Sequence, residues 1–399
     1  MSELFSTFPI QRLILAVNAG SSSLKIAVFE ANSPPVRLAS AKVERIGASD
    51  AKITLAIGGE ASRSEAVVAS SHDDALAAIM SGLRGKINDT SIAGVGHRLV
   101  HGGPNHSASE VITPKLLDEI RQLEIYDPEH LPSELRVIET LKRRLPNIPH
   151  VACFDTAFHH DLPAVARRLP LPRRFDELGV RRYGFHGLSY AYLIDHLARL
   201  DHEEARGRIV LAHLGNGASL AAVRDGKPID TSMAFTPAAG IPMSTRSGDI
   251  DPGLIEYLLR AASMTVQEFN RTVHLESGLL GVSETSGDME LLLERESQDV
   301  RAEEAVAIFC YHVRKCIGAY AAAMGGLDTL VFTGGIGERA AKVRHRVCVD
   351  LQFFGVELDP TLNEINAEVI SSGILPVKVR VIATDEEQMI ARDVIAAIE

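Results

Sequence analysis

Residues 13–30, LILAVNAGSSSLKIAVFE, set two apolar runs on either side of a polar turn, Asn18-Ala19-Gly20-Ser21-Ser22-Ser23. The runs are predicted strands and the turn a hairpin. Period two puts Ser21, Ser23 and Lys25 on one face of the second strand and Leu24, Ile26 and Val28 on the other. One face suits a core and the other an anion. Gly20 permits close backbone approach, hydroxyls and amides donate hydrogen bonds, and Lys25 supplies a point charge suited to phosphate. Taken alone, the same residues also read as an ordinary serine-rich turn.

The stretch is echoed in the second half of the chain. Aligning Leu15-Ala16 with Leu211-Ala212 sets Ser23-Leu24 on Ser219-Leu220 without a gap, an offset of 196 residues in a chain of 399. A third strand is expected over 36–46, and a second trio over 209–214, 218–223 and 227–232, the last two joined by Asp225-Gly226. Helices and strands follow each trio. Ser71, with Asp74 in capping-box position, opens a helix ending near Gly85; Thr113-Pro114 opens another, and a third spans 132–145. Strands are expected at 92–96 and at 150–154, the second ending at Asp155. Later, Asp251 caps a helix over 252–262, helical spacing fills 302–324, and strands at 329–332 and 377–383 precede a closing helix. Two such halves facing each other would present both polar turns to one cleft, a natural place for a polyphosphate. Chance likeness of two glycine-rich hairpins is the alternative.

Composition bounds the function. The length exceeds one typical core, so two domains are expected. A net charge of -11, from 52 acidic and 41 basic residues, argues against nucleic acid or an anionic membrane as partner. The opening MSELFSTFPIQR lacks the basic and apolar regions of a secretion signal, and no stretch reaches membrane-span length, so a cytoplasmic protein is expected. Cys153, Cys310, Cys316 and Cys348 show no paired framework and read as small buried hydrophobes.

Familiar phosphate and metal motifs are mostly missing. No GxxxxGK[ST] occurs, so a P-loop is excluded. Gly335-Ile336-Gly337-Glu338-Arg339-Ala340 fits G-x-G-x-x-A after a strand, which keeps a dinucleotide fold as a competing reading, although it falls late in the chain. His97 and His101 are four apart and His159-His160 follow Asp155, but there is no HExxH, and glycines at 94, 96, 102 and 103 oppose a helix at the first pair; hydrogen-bonded histidines are expected instead. Arg98 stands before a Gly-Gly turn, and Arg246 lies in the small-residue loop Ser244-Thr245-Arg246-Ser247-Gly248. Both can offer the planar donors that a carboxylate or transferring phosphoryl group needs. His186 is held between Gly184 and Gly187 just before a helix.

With these segments in view, the chain resembles the acetate and short-chain carboxylate kinase family. The matching segments are VNAGSSSLK, GHRLVHGG, FDTAF, RRYGFHG, AHLGNGASL, DTSMAFTP, TRSGDIDPG, SGLLGVS, FTGGIGE and TDEEQMIARD, in family order over nearly the whole chain. The resemblance implies an α/β fold of two duplicated actin-like (ribonuclease H-like) βββαβαβα domains around a nucleotide cleft. The domains would be residues 1–155 with 385–399, and 156–384. It implies reversible transfer of the ATP γ-phosphoryl to acetate, giving acetyl phosphate and ADP, with Mg2+ or Mn2+, in a homodimer. By motif, Asn18 and Glu386 would sit at the metal, and Ser21, Ser23 and Lys25 near the phosphates. Arg98 would bind the substrate carboxylate, with Val100, Phe185 and Pro237 lining the methyl pocket. Asp155 would be the essential carboxylate, and His186 and Arg246 would stabilise the transition state. His213, Leu214, Gly215, Asn216 and Gly217 would form the second phosphate loop, Asp288 would lie near the nucleotide, and Gly335, Ile336, Gly337, Glu338 and Arg339 would pass under the adenosine.

The chain departs from the family pattern in four places. Tyr126-Asp127-Pro128 replaces His-Asn-Pro, Leu188-Ser189-Tyr190 replaces Thr-Ser-His, Glu290 stands where an arginine is usual, and Arg339 where an asparagine is usual. Two alternatives remain open at this point. One is a propionate or butyrate kinase of the same fold, since one methylene is worth only about 1–3 kcal/mol in such a pocket. The other is an actin-like or chaperone-like ATPase module, against which the pairing of Arg98 with Arg246 argues.

Overall fold

The computed structural model describes residues 12–20, 22–58, 60–84 and 91–399. The expected helix end near Gly85 lies outside them. Two compact units emerge: one ends at Ala157 and is completed by Asp385–Glu399, and the other is Phe158–Thr384.

The first unit is built on an eight-stranded sheet. Its strands are β1 (Leu13–Ala19), β2 (Ser23–Glu30), β3 (Val36–Glu44), β4 (Lys52–Ile57), β5 (Arg63–Ala66), β6 (Ile92–Leu99), β7 (Glu110–Val111) and β8 (His150–Phe154), in the order β5-β4-β3-β2-β1-β6-β8-β7. β1 runs antiparallel to β2 and parallel to β6, and β6 is parallel to β8. Every residue of β1 is buried, as a central strand covered on both faces requires. On one face the helices His72–Leu83 and Leu131–Arg144 complete a core of Leu15, Val17, Leu24, Ile26, Leu76, Ile79, Val137 and Leu141. On the other lies the closing helix Glu386–Ile398, and glycines let it approach. A Cβ at Gly96 would stand 2.3 Å from Ile390 Cγ2, and one at Gly94 would stand 2.6 Å from Val394 Cγ1. The sequence pattern missed the β4–β5 hairpin, because β5 is exposed throughout and carries no apolar alternation.

The second unit repeats the plan with β9 (Arg208–Leu214), β10 (Ala218–Arg224), β11 (Lys227–Thr231), β12 (Thr329–Thr333) and β13 (Lys378–Val381), ordered β11-β10-β9-β12-β13. This reproduces β3-β2-β1-β6-β8, with the same antiparallel trio and parallel additions. The duplicated βββαβαβα fold expected from the sequence is therefore present, and its antiparallel start differs from the parallel sheet of a dinucleotide fold. Helix Gly187–Leu200 packs Tyr190, Leu193 and Leu197 onto Ile209, Leu211, Ala221 and Val223, and helix Val300–Met324 adds a second apolar layer. The gapless echo needs one correction. Ala19 pairs with Leu24 across four residues, whereas Leu214 pairs with Ala218 across three, so no single offset holds on both strands of the hairpin.

Candidate active site

In the first unit, the candidate residues gather at strand ends. Arg98 is the penultimate residue of β6 and Asp155 follows β8 directly; Asp155 N–H donates to Leu99 carbonyl at 2.9 Å, fixing one strand end to the other. Arg98 Nη2 donates to Asp155 Oδ2 at 2.5 Å, and Nη1 lies 3.8 Å from Glu134 Oε1. Burial opposes the guanidinium charge, but Asp155, Glu386 and Glu134 raise the Arg98 pKa and keep it charged. Val100 is buried just beyond, and its N–H donates to Glu134 Oε2 at 3.0 Å.

Asn18, near the end of β1, pairs in register with Lys25 and donates to Glu386 Oε2 at 2.9 Å. Lys25 Nζ lies 4.0 Å from Glu387 Oε1, and Arg37 bonds to Asp385, which caps the closing helix by accepting from Gln388 N–H. Glu387 therefore joins the expected pair Asn18 and Glu386. Of the turn itself, Gly20 N–H donates to Ser23 carbonyl at 2.8 Å, and His72 Nε2 bonds to Gly20 carbonyl at 2.7 Å. Ser21 lies outside the described residues.

The second unit assembles a separate set. His186 occupies the N-cap of helix Gly187–Leu200 with φ +59, a left-handed conformation uncommon for a side chain other than glycine. His186 Nδ1 bonds to Ser219 Oγ at 2.8 Å, and Tyr190 Oη bonds to the same oxygen at 2.5 Å. The His186 ring stacks on His213 at 4.2 Å, and His213 Nδ1 bonds to Ser189 Oγ at 2.9 Å. Ser189 and the divergent Tyr190 thus both orient this histidine pair. Behind it, His159 bonds to Phe185 carbonyl at 3.0 Å and touches Gly184, whose Cβ would stand 2.5 Å from the ring. Burial lowers His159 to about 4, so it is a neutral brace. His160 is exposed.

The β9–β10 turn, Gly215–Gly217, adjoins both catalytic candidates. A Cβ at Gly217 would lie 3.3 Å from His186 Nε2 and 3.5 Å from Arg246 Nη1. Arg246 Nη1 also donates to Pro237 carbonyl at 3.3 Å, and Ser244 N–H donates to Asn216 carbonyl at 3.1 Å, tying the arginine loop to the turn. Ser244 Oγ reaches on to Gly287 carbonyl at 2.7 Å, next to Asp288. Asp288 caps helix Met289–Arg295, accepting from Glu290 N–H at 2.8 Å, while Glu290 is itself exposed in the first turn. Phe185 and Pro237 are buried in this unit, and Val100 in the other.

Gly335–Arg339 belong to the short helix Gly334–Arg339 after β12. Gly335 N lies 4.0 Å from the position of a Gly215 Cβ, which sets this helix beside the β9–β10 turn. Glu338 Oε1 accepts from Gly334 N–H at 2.9 Å, and Arg339 folds back to within 2.9 Å of a Gly335 Cβ position. Ile336 is half-buried, and Gly337 is buried with its carbonyl bonded at 2.9 Å to Arg344 Nη1. Arg344 is wholly buried and also bonds Glu338 carbonyl, Asn363 and Asn366, so one side chain anchors the helix; burial lowers its pKa to about 10.

Sequence reasoning missed Glu134 and Arg344, named Ser219 only as the echo of Ser23, and expected of His159 no more than a hydrogen-bonded histidine, which it is. The first two had a usable signal. Glu134 interrupts the apolar stripe Leu131, Leu135, Ile138, Leu141, and Arg344 interrupts Ala341, Val347, Cys348.

A model described as the Acetokinase family matches residues 13–392. The chain is 44% identical over 390 residues to the acetate kinase of Bacillus subtilis (strain 168), covering 96% of this chain and 98% of that one. It is similar to the solved acetate kinase of Porphyromonas gingivalis, with a TM-score of 0.87 and 37% identity over 97% of this chain and 100% of that one. It is also similar to a propionate kinase from Francisella tularensis subsp. tularensis SCHU S4, with a TM-score of 0.89 and 34% identity over 96% and 98%.

Proposed function

Because the chain belongs to the acetokinase family and is a phosphotransferase with a carboxyl acceptor, we propose how its residues transfer the ATP γ-phosphoryl to acetate. The observation that carries the reading is the approach of His186 Nε2 and Arg246 Nη1 to Gly217, in a turn of the kind that holds phosphates. Acetate is already an ionised oxygen nucleophile at neutral pH, so little general-base work is needed. The barrier lies in bringing negative reactants in line while charge spreads over the equatorial oxygens of the moving phosphoryl.

In this reading Arg98 receives the substrate carboxylate, oriented by Asp155, and His186 and Arg246 stabilise the transferring phosphoryl. Ser219 holds His186 by its Nδ1. The turns around Ser23 and Gly215–Gly217 hold phosphates, and Gly334–Arg339 supports the nucleoside. Asn18, Glu386 and Glu387 supply hard oxygen donors that suit Mg2+, which keeps waters and shares its shell with substrate phosphates. When bound, the ion neutralises phosphate charge. We extend the proposal to a cytoplasmic homodimer. No helix among the described residues is long and apolar enough to cross a membrane. Helix Pro252–Ala261 buries none of its residues and exposes Leu254, Ile255 and Tyr257, an apolar face suited to a second copy.

The test is formation of acetyl hydroxamate from ATP, Mg2+, acetate and hydroxylamine. Product that depends on acetate is expected, and background-level product with intact ATP hydrolysis refutes the reading. Comparing kcat/KM for acetate and propionate decides between the two acceptors, as the propionate kinase likeness invites.

A further inference from the structure

Glu134 has no part in the chemistry above, yet it lies beside the residue that receives the substrate. It stands in the first turn of helix Leu131–Arg144 with 1% exposure. One oxygen accepts from Val100 N–H at 3.0 Å. The other lies 3.8 Å from Arg98 Nη1 and has no hydrogen-bond partner among the described residues. Arg98 therefore stands between two carboxyls, with Asp155 on its other nitrogen at 2.5 Å.

We propose that Glu134 is a positioning residue for the acceptor carboxylate: held by Val100 N–H, it sets the charge that acetate meets at Arg98, and acetate binds when Glu134 carries a proton. This rests on the reading that Arg98 receives acetate. The charge balance carries the argument. Asp155 already neutralises the one guanidinium, so an ionised Glu134 leaves an excess negative charge where another anion must enter. A protonated Glu134 removes one of the negative charges, beside those of Asp155 and Glu386, that acetate meets at Arg98.

Burial pushes Glu134 up to about 8, against the pull of Arg98 and Val100 N–H, while Asp127 and Asp155 add to the rise. These are the charged groups around it: Arg98 on β6, Asp155 past β8, and Asp127 ahead of its own helix, itself bonded to His130. Glu386 of the closing helix acts on Arg98. His101, following Val100, lies tilted against Tyr126 with ring centroids 5.1 Å apart, and His97 and His150 bond one another and feel Lys142. Above about pH 8, acetate binding then takes one proton from solvent onto Glu134, with no bond to the substrate made or broken.

The experiment measures acetate KM and kcat against pH, at saturating ATP and Mg2+, for the intact enzyme and for Glu134→Gln and Arg98→Ala. In the unaltered enzyme KM rises about tenfold between about pH 7 and about pH 9, while kcat moves far less. Glu134→Gln, a permanent mimic of the protonated form, keeps KM flat. If KM rises equally in Glu134→Gln while Arg98→Ala weakens acetate, the proposal falls and the Arg98 reading survives. If Arg98→Ala leaves acetate KM unchanged, the Arg98 reading falls and takes the proposal with it. Independently of any variant, calorimetry of acetate binding near pH 9, in two buffers of different protonation heat, gives uptake of about one proton if the proposal holds. Zero uptake overturns it.

Discussion

Gly217→Ala places a methyl group beside His186 and Arg246, the two side chains proposed to stabilise the transferring phosphoryl. The new Cβ stands 3.3 Å from His186 Nε2 and 3.5 Å from Arg246 Nη1, where an oxygen accepting from these nitrogens would need to sit at about 2.7–3.1 Å. Both contacts are with side-chain tips, and Gly217 is not among the positive-φ residues, so the fold tolerates the methyl. Losing one donor aimed at developing charge costs about 10^2–10^3 in kcat, or about 2.7–4 kcal/mol. The expected result is a kcat loss of that size with a melting shift under about 4 °C, because roughly 1 kcal/mol moves a unit of this size by about 2–4 °C. Steady-state hydroxamate kinetics and thermal unfolding are the assays. A folded variant with kcat within about threefold of the parent would show that the phosphoryl group does not use this space.

Gly96→Ala drives a Cβ to 2.3 Å from Ile390 Cγ2 and 2.6 Å from Val394 Cγ2, and such overpacking costs about 1–3 kcal/mol. Melting should drop by several degrees, and an unchanged transition would deny that the closing helix is seated on the glycines. His159, lowered to about 4 by burial, is protonated first in the unfolded chain. Its contribution is whole above about pH 6.5 and fades as pH falls, reaching a loss of about 3 kcal/mol near pH 4. Urea midpoints across this range should show an acid slope that His159→Gln flattens; an equal slope in the variant excludes His159 as its source. Arg344→Met leaves the Gly337 and Glu338 carbonyls unpaired at about 1–3 kcal/mol each, so melting falls and ATP KM rises more than acetate KM. Equal changes in both KM values would count against a role for helix Gly334–Arg339 at the nucleotide.

How far the sequence is legible depends on whether a residue's role is local. Strands β1, β2, β9 and β10 are apolar runs beside turn residues, β3 and β11 follow them across short turns, and the helices begin where Ser71, Thr113 and Asp251 supply caps; all these signals lie within a few neighbouring positions. The glycines at 94 and 96 were informative only in ruling out a helix, because the side chains they admit, Val394 and Ile390, are about three hundred residues away. The site divides in the same way. Arg98, Asp155, His186 and Arg246 stand in short motifs, but the groups that hold them are paired across the fold: Ser219 with His186, His159 with Phe185, Glu134 with Val100. A charged residue inside an apolar stripe marks Glu134 and Arg344 as buried without naming what either one meets.

Duplication explains why the charges stand where they do. In an open sheet, groups just past the carboxyl ends of parallel strands are held rigidly yet remain outside the hydrogen-bonded ladder, which makes those ends suitable for ligands. Asp155 and the Gly334–Arg339 helix follow β8 and β12 directly, while Arg98 and His213 are the penultimate residues of β6 and β9, still paired in their ladders. The hairpin turns then diverged. The strand after the longer, serine-rich turn keeps Lys25 beside Glu387 of the closing helix, while the shorter turn has glycine at two of its three positions and admits His186 and Arg246 near Gly217. On the proposed mechanism, a hairpin one residue shorter between its last paired residues, with glycine at both its ends, separates the turn assigned to metal and phosphate from the turn assigned to the moving phosphoryl group.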